Sequence, residues 1–136
     1  MADSLEPLLP HLPPMRWIDA LTDCTETTAR ATAHFGKDHF AVAEGEVSET
    51  ALVECVAQTV AAALGHRARA SGKSGQSNHG VLAAVSGFRI QARPPLDQTV
   101  EIEVRELKRF GPMLLVAGTV SCEGRVIATG ELSLYA

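Results

Sequence analysis

A carboxylate and an amide lie four residues apart in one of the most apolar stretches of this chain. The stretch ALVECVAQTVAAALG, residues 51–65, carries one charged residue, Glu54, and one amide, Gln58. Residues four apart share a helix face, so the amide can hold an oxygen of the carboxylate. Since a buried carboxylate is costly unless paired or neutral, we consider two interpretations. Glu54 is an acid–base group in a dry cleft oriented by Gln58, or a partly solvated first-turn residue favoured by the helix dipole.

The residues around Glu54 predict a buried helix. Ala, Leu and Gln favour helix, and neither Pro nor Gly interrupts the stretch before Gly65. Small and apolar residues occupy nearly every face, which is typical of a helix covered on all sides. Its length of roughly 20 Å is too short for a membrane span. Ser48 or Thr50 is predicted to cap its start, and Gly65 with the basic residues after it to close it.

Strand-like segments precede and follow this helix. A strand is predicted to begin at RWID. The further predicted strands are CTETTARATAHF, GVLAAVSGFRIQA with a bend at Gly87, TVEIEVREL, MLLVAGTVSC and RVIATGELSLY. Residues 36–49 are predicted as a loop that turns at Gly36 and Gly45. This order predicts one α+β domain over residues 1–136, an antiparallel sheet with the helix on one face. One sheet cannot cover all sides of the helix, so we expect a dimer.

Composition argues against several classes of function. A net charge of −4 gives no general attraction to nucleic acid or to an anionic membrane. Three widely spaced cysteines form no metal-binding pattern and are typical of reduced thiols, and the N-terminal residues form no secretory signal. We therefore expect a cytoplasmic protein without a metal site.

The order of the predicted strands and helix, together with the residues in them, resembles that of the hotdog-fold 3-hydroxyacyl-[acyl-carrier-protein] dehydratases. LLPHLPPMRWIDAL is similar to the opening of that family, ALVECVAQTVAAALG to its central helix with Glu-x-x-x-Gln, and GFRIQARPPL to a later strand and its Pro. The branch most similar is that of dehydratase-like components of aryl polyene pathways, where a Gly lies nine residues before the Glu, as Gly45 does here. The resemblance implies a hotdog fold, with the sheet wrapped around one long helix, and a dimer.

The resemblance also implies a reaction. A histidine takes a proton from C2 of the 3-hydroxyacyl thioester, and a helix carboxylate from the other protomer protonates the departing hydroxyl, giving the trans-2-enoyl product. Glu54 matches that carboxylate and His39 that histidine. Gln58, Ser48 and Gly45 are assigned to orientation and substrate binding. The acyl chain is held on the phosphopantetheine arm of acyl carrier protein, and no other cofactor is implied.

The residues around His39 depart from the family pattern. Active dehydratases carry His-Phe-Pro-Gly, fourteen residues before the Glu, whereas His39 precedes Glu54 by fifteen, and Ala41 and Val42 replace the Pro and Gly. Ser48 and Glu49 replace a second Pro-Gly pair at the helix start. His39 is therefore interpreted either as the catalytic base or as a loop histidine. The other histidines and a cysteine next to Glu54 are expected to be structural or solvated: His11, His34, His66, His79 and Cys55.

Three functions are compatible with these residues. The first is dehydration in fatty acid or polyketide-type biosynthesis, a hydro-lyase reaction. The second is a non-catalytic dehydratase-like subunit that completes a heterodimer or binds acyl chains. The third is a hotdog acyl thioesterase, against which the Leu-Pro-His opening argues. Expected partners are acyl carrier protein and a second hotdog chain, in a homodimer or heterodimer. Five cations are candidates for contacting an acidic carrier: Arg67, Arg69, Lys73, Arg89 and Arg93.

Overall fold

The computed structural model describes residues 15–72 and 81–135. Half of the predicted opening motif, with His11, therefore lies outside the described residues, as do Lys73 and His79. Along the described chain the order of elements is β1 (Ala20–Cys24), β2 (Thr28–Ala33), β3 (Val42–Ala43), β4 (Glu46–Val47), α1 (Glu49–Ala70), β5 (Val81–Ile90), β6 (Val100–Phe110), β7 (Met113–Cys122) and β8 (Arg125–Tyr135).

Six of these strands form an antiparallel sheet in the order β1-β2-β6-β7-β8-β5, with α1 packed on one face. The alternation predicted for β6 is confirmed, because Val100, Ile102 and Val104 are buried and Glu101 and Glu103 are exposed. An antiparallel sheet around one central helix is the predicted α+β hotdog architecture, which is confirmed.

Two local predictions were wrong and a third is confirmed. The segment CTETTARATAHF was predicted as one strand, but it contains the turn between β1 and β2. The N–H of Thr28 donates to Thr25 Oγ1 at 3.0 Å, and this bond closes the turn after β1 has ended at Cys24. The predicted loop 36–49 contains a hairpin of β3 and β4. Glu44 and Gly45, with φ of 54° and 76°, form its two-residue turn, in which both central residues need positive φ. The bend predicted at Gly87 is confirmed by its φ of 59° and a shift in register there.

The helix α1 starts where predicted and is more than one turn longer than predicted. It passes through the buried Gly65 because the following Ala and Arg residues are strong helix formers. It ends at Ala70, and Gly72 follows with a φ of 75° and an N–H that donates to the Arg69 carbonyl at 3.1 Å. Ser48 occupies the N-cap position without a side-chain capping bond, and its hydroxyl bonds Thr50 Oγ1 at 2.8 Å. The predicted N-cap position is therefore confirmed for Ser48, whereas the side-chain hydrogen bond expected of it is not formed. In the described part of the chain no helix is long and apolar enough to cross a membrane.

Candidate functional site

Gln58 ties the extended segment ahead of β1 to the helix. Its side chain is buried, and its Oε1 accepts from the Trp17 N–H at 2.7 Å while its Nε2 donates to the Met15 carbonyl at 2.8 Å. The Nε2 of Gln58 also lies 3.5 Å from Oε1 of Glu54, which is long for a hydrogen bond. The short bonds of Gln58 thus go to backbone groups. Its predicted role in orienting Glu54 rests on the longest of its contacts.

Glu54 lies on the second turn of α1 and is half-buried, whereas the neighbouring Leu52 and Cys55 are buried. It borders a strip of half-buried apolar residues on α1 that the sheet leaves partly uncovered: Val53, Ala57 and Leu64. A carboxylate at this edge keeps contact with solvent in a single chain, which explains how an apolar helix tolerates it. Any second molecule that covered the strip would enclose Glu54.

His39 lies in a tight turn between β2 and β3, next to the segment that Gln58 holds. Its N–H donates to the Gly36 carbonyl at 3.0 Å, and its Nδ1 accepts from the Ala41 N–H at 2.9 Å. Its ring contacts Phe35 and Trp17 edge-on, with centroids 4.8 and 6.0 Å apart. Burial lowers the pKa of His39, and this effect outweighs the charge of Asp19, which raises it.

The three predicted residues are thus connected through one short segment. Glu54 is next to Gln58, Gln58 holds the backbone of Trp17, and the Trp17 ring contacts His39. The sequence indicated Trp17 only as a packing residue. Its connecting role was missed because nothing in a single sequence pairs positions 17 and 58.

Ser48, the N-cap of α1, lines an open depression of about 670 Å³, and Gly45 lies in the β3–β4 turn between two other lining residues, Glu44 and Glu46. A Cβ added at Gly45 would meet no atom within 4 Å, so the positive φ of the β3–β4 turn, and not close packing, is what favours glycine there. The depression is lined by Ala43, Glu44, Glu46, Ser48, Glu49, Thr50 and Arg93. Carboxylates therefore surround the positive end of the helix.

Arg93 counters this negative charge. Its guanidinium contacts Glu46 at 2.5 Å and Glu49 at 3.2 Å, so it joins the β3–β4 hairpin and the helix start to the chain after β5. An unpaired carboxylate on Glu49 would repel any negatively charged group brought to the helix start. In the structure the guanidinium of Arg93 pairs with this carboxylate. No sequence pattern indicated these pairs, because their partners are more than forty residues apart.

Other chemically capable side chains have local roles. Arg67 donates from Nε to the Thr25 carbonyl at 2.8 Å, so like Arg93 it is already engaged. Arg69 and Arg89 are exposed. Cys55 is buried, and burial, followed by the charge of Glu54, raises the pKa of its thiol. A protonated core thiol agrees with the structural interpretation of Cys55. Across residues 15–72 and 81–135 no three His, Cys, Asp or Glu side chains are grouped to hold a metal ion.

His34 and Asp19 form a pair that the sequence did not predict. His34 Nδ1 lies 2.7 Å from Asp19 Oδ2, and both side chains are exposed. The hydrogen bond to Asp19, and then its charge, raise the pKa of His34.

Comparison with known proteins gives one family and a consistent fold. Residues 3–136 match the family model of the ApeP-like proteins, described as ApeP dehydratase. Among curated protein sequences, none matches. The dehydratase heterocomplex ApeI:P from Xenorhabdus doucetiae is similar over 96% of this chain and 89% of that chain, with a TM-score of 0.86 and 21% identity.

Two further solved structures share the fold at lower identity. The smu.793 protein from Streptococcus mutans UA159, bound to acetyl CoA, has a TM-score of 0.69 and 13% identity over 93% of this chain and 94% of that chain. A hypothetical thioesterase with coenzyme A from Streptococcus pneumoniae TIGR4 has a TM-score of 0.65 and 11% identity over 85% and 82%. At such identities these structures support the hotdog architecture alone.

Proposed function

The chain belongs to the ApeP-like family of dehydratases, and on that basis we propose that it takes part in dehydrating a 3-hydroxyacyl chain held as a thioester on acyl carrier protein. The observation that carries this proposal is the family match over residues 3–136, which includes α1 with Glu54 and Gln58. The half-buried position of Glu54 suits a proton donor that is enclosed only when the assembly is complete.

The reaction balances with two protein groups. A histidine takes the proton from C2, the carboxyl group of Glu54 gives a proton to the hydroxyl on C3, the C3–O bond breaks, and water leaves as the C2–C3 double bond forms. Glu54 is the residue of this chain that we place in the chemistry. The phosphopantetheine arm of the carrier presents the acyl chain, and the reaction consumes no other cofactor.

A second hotdog chain completes the site through β5. This strand lies at the edge of the sheet and pairs on one side, with β8. Val85 is paired with the buried Leu132, so it faces the helix side of the sheet, yet it is 46% exposed. An open strand edge with an apolar residue beyond the cover of its own helix is suited to pairing with another strand. The partner's helix would then cover Val85.

We favour a heterodimer with another hotdog dehydratase over a homodimer. The similar ApeI:P structure is described as a dehydratase heterocomplex.

For contact with an acidic carrier, Arg69 and Arg89 remain candidates because both are exposed, whereas Arg67 and Arg93 are engaged within the chain.

A non-catalytic subunit is the second candidate, and the departures around His39 favour it. A thioesterase is not favoured by the comparisons, since the hypothetical thioesterase from Streptococcus pneumoniae shares only the fold, at 11% identity.

The test is a dehydration assay with a short 3-hydroxyacyl carrier substrate, followed by mass spectrometry of the acyl arm. The chain is measured alone, with a hotdog dehydratase partner, and as Glu54→Gln in the same complex. Loss of water from the substrate that depends on Glu54 supports the proposal. Turnover by the partner alone, unchanged on adding this chain or its Glu54→Gln variant, would contradict a catalytic role.

A further inference from the structure

The hydrogen bond between Ala41 and His39 determines which ring nitrogen of His39 carries the proton. The backbone N–H of Ala41 points at Nδ1 over 2.9 Å. A backbone nitrogen is a donor only, so Nδ1 must be the acceptor with its lone pair toward Ala41. In neutral imidazole the proton then lies on Nε2.

We propose that the N–H of Ala41 holds His39 in the Nε2–H tautomer, so that this histidine presents a hydrogen-bond donor and not a general base. A base needs a free lone pair at the atom that meets the proton. In His39 the lone pair of Nδ1 is directed to Ala41, and Nε2 already carries a hydrogen. Such a ring can donate to an oxygen of an acyl thioester and cannot take a proton from its carbon.

The residue at position 41 is the origin of this difference. In the His-Phe-Pro-Gly pattern of the active dehydratases, the second residue after the histidine is proline, and here it is Ala41. Proline has no backbone N–H, so it cannot make this hydrogen bond. Replacing proline by alanine therefore supplies the donor that fixes the tautomer.

Ala41 is held firmly enough to act in this way. Its side chain is buried, and its carbonyl accepts from the Ser48 N–H at 2.8 Å, which joins the turn to the start of α1. The Val42 N–H closes the same turn on the His39 carbonyl at 2.9 Å. The ring of His39 cannot turn freely, because Phe35 and Trp17 contact it edge-on.

The consequence for the reaction rests on the proposed function. If each site of the dimer takes a histidine from one chain and a carboxylate from the other, this chain supplies Glu54 to one site, and the second hotdog chain supplies the base there. The site that contains His39 lacks a base at Nε2. The complex would then have one working site for each pair of chains.

The test is the tautomer itself, measured without substrate. Long-range proton–nitrogen spectra of the full chain, assigned with a His39→Asn variant, distinguish a protonated Nε2 from a protonated Nδ1. We expect the Nε2–H pattern in the unmodified chain. The Nδ1–H pattern would overturn the proposal, and this measurement requires no variant to fold other than the one used for assignment.

Two variants of Ala41 test the cause. Ala41→Pro removes the N–H, and Ala41→Gly, which keeps it, is the matched control. We expect a mixture of tautomers in Ala41→Pro and an unchanged Nε2–H pattern in Ala41→Gly. The same tautomer in both variants would show that the N–H of Ala41 does not determine it. If Ala41→Pro does not fold, the spectra of the unmodified chain and of Ala41→Gly still decide whether Nε2 of His39 is a donor. Failure of the dehydration assay leaves these spectra unchanged, so the two proposals fail separately.

Discussion

The N–H of Trp17 donates to Oε1 of Gln58 at 2.7 Å, across 41 positions of the sequence. The side-chain amide of Gln58 thus makes the hydrogen bonds that a neighbouring strand would otherwise make to the backbone of the extended segment before β1. The polar pair on the apolar helix has two different uses. Gln58 satisfies backbone groups in the interior, whereas Glu54 remains at the edge of the helix that the sheet leaves partly uncovered.

The first prediction concerns the stability contributed by Gln58. In Gln58→Leu the half-buried N–H of Trp17 and the carbonyl of the exposed Met15 both lose their partner. Since an unsatisfied buried backbone group costs about 1–3 kcal/mol and these two are only partly buried, we expect a loss of about 1–3 kcal/mol in the free energy of unfolding, measured by denaturant titration. Gln98→Leu, at an exposed position, is the control and should change it by less than about 0.5 kcal/mol. Equal effects of the two substitutions would contradict the role of Gln58.

A second prediction concerns the contact between β7 and the helix. A Cβ on Gly118 would lie 2.6 Å from Cγ1 of Val56, which is closer than nonbonded atoms approach. We expect Gly118→Ala to destabilise the chain by about 1–3 kcal/mol through overpacking. Adding Val56→Ala to this variant removes the colliding methyl groups, so thermal unfolding of the double variant should show a smaller loss than the sum of the two single variants. Additive losses would argue against the contact.

Third, the pair of His34 and Asp19 should make stability depend on pH. The pKa of His34 is raised in the folded chain, mainly by its hydrogen bond to Asp19. A raised folded-state pKa stabilises below the unfolded value and loses this contribution as the pH rises through the folded value. His34→Asn should therefore destabilise the chain more at about pH 5.5 than at about pH 8.5, as measured by urea titration. A larger loss at the higher pH would contradict the assignment.

Sequence patterns predicted the elements that depend on local chemistry. The alternation of β6, the apolar helix and the bend at Gly87 all follow from neighbouring residues, and the structure confirms them. The resemblance supplied the fold and the family. Contacts between distant positions could not be predicted, since a single sequence does not pair Arg93 with Glu49 or Trp17 with Gln58. The hydrogen bond of Ala41 to His39 was also missed, although the loss of proline at position 41 was its visible sign.

The fourth prediction concerns assembly through β5. Val85 faces the helix side of the sheet but lies beyond the cover of its own helix, so a charge there should oppose pairing with a second chain. We expect Val85→Glu to weaken association with a hotdog partner at least about tenfold, because burying an unpaired carboxylate is costly. Sedimentation of the mixed chains measures it. Val126→Glu, at a similarly exposed valine on β8, is the control, and equal weakening by both variants would show that β5 is not the interface.

The last prediction separates the chemical role of Glu54 from its structural one. Glu54 is half-buried and its contact with Gln58 is long, so Glu54→Gln should change the free energy of unfolding by less than about 0.5 kcal/mol. The amide has the same shape and cannot deliver a proton, so dehydration by the complex should fall by a factor of about 10²–10⁴. Glu49→Gln is the control, because Glu49 lies at the helix start and pairs with Arg93 without a place in the proton transfer. The measurements are denaturant titration of each variant and turnover of the assembled complex. Full turnover by Glu54→Gln would exclude the proposed proton transfer, whereas a loss of turnover that follows a loss of folded protein would assign Glu54 to structure alone.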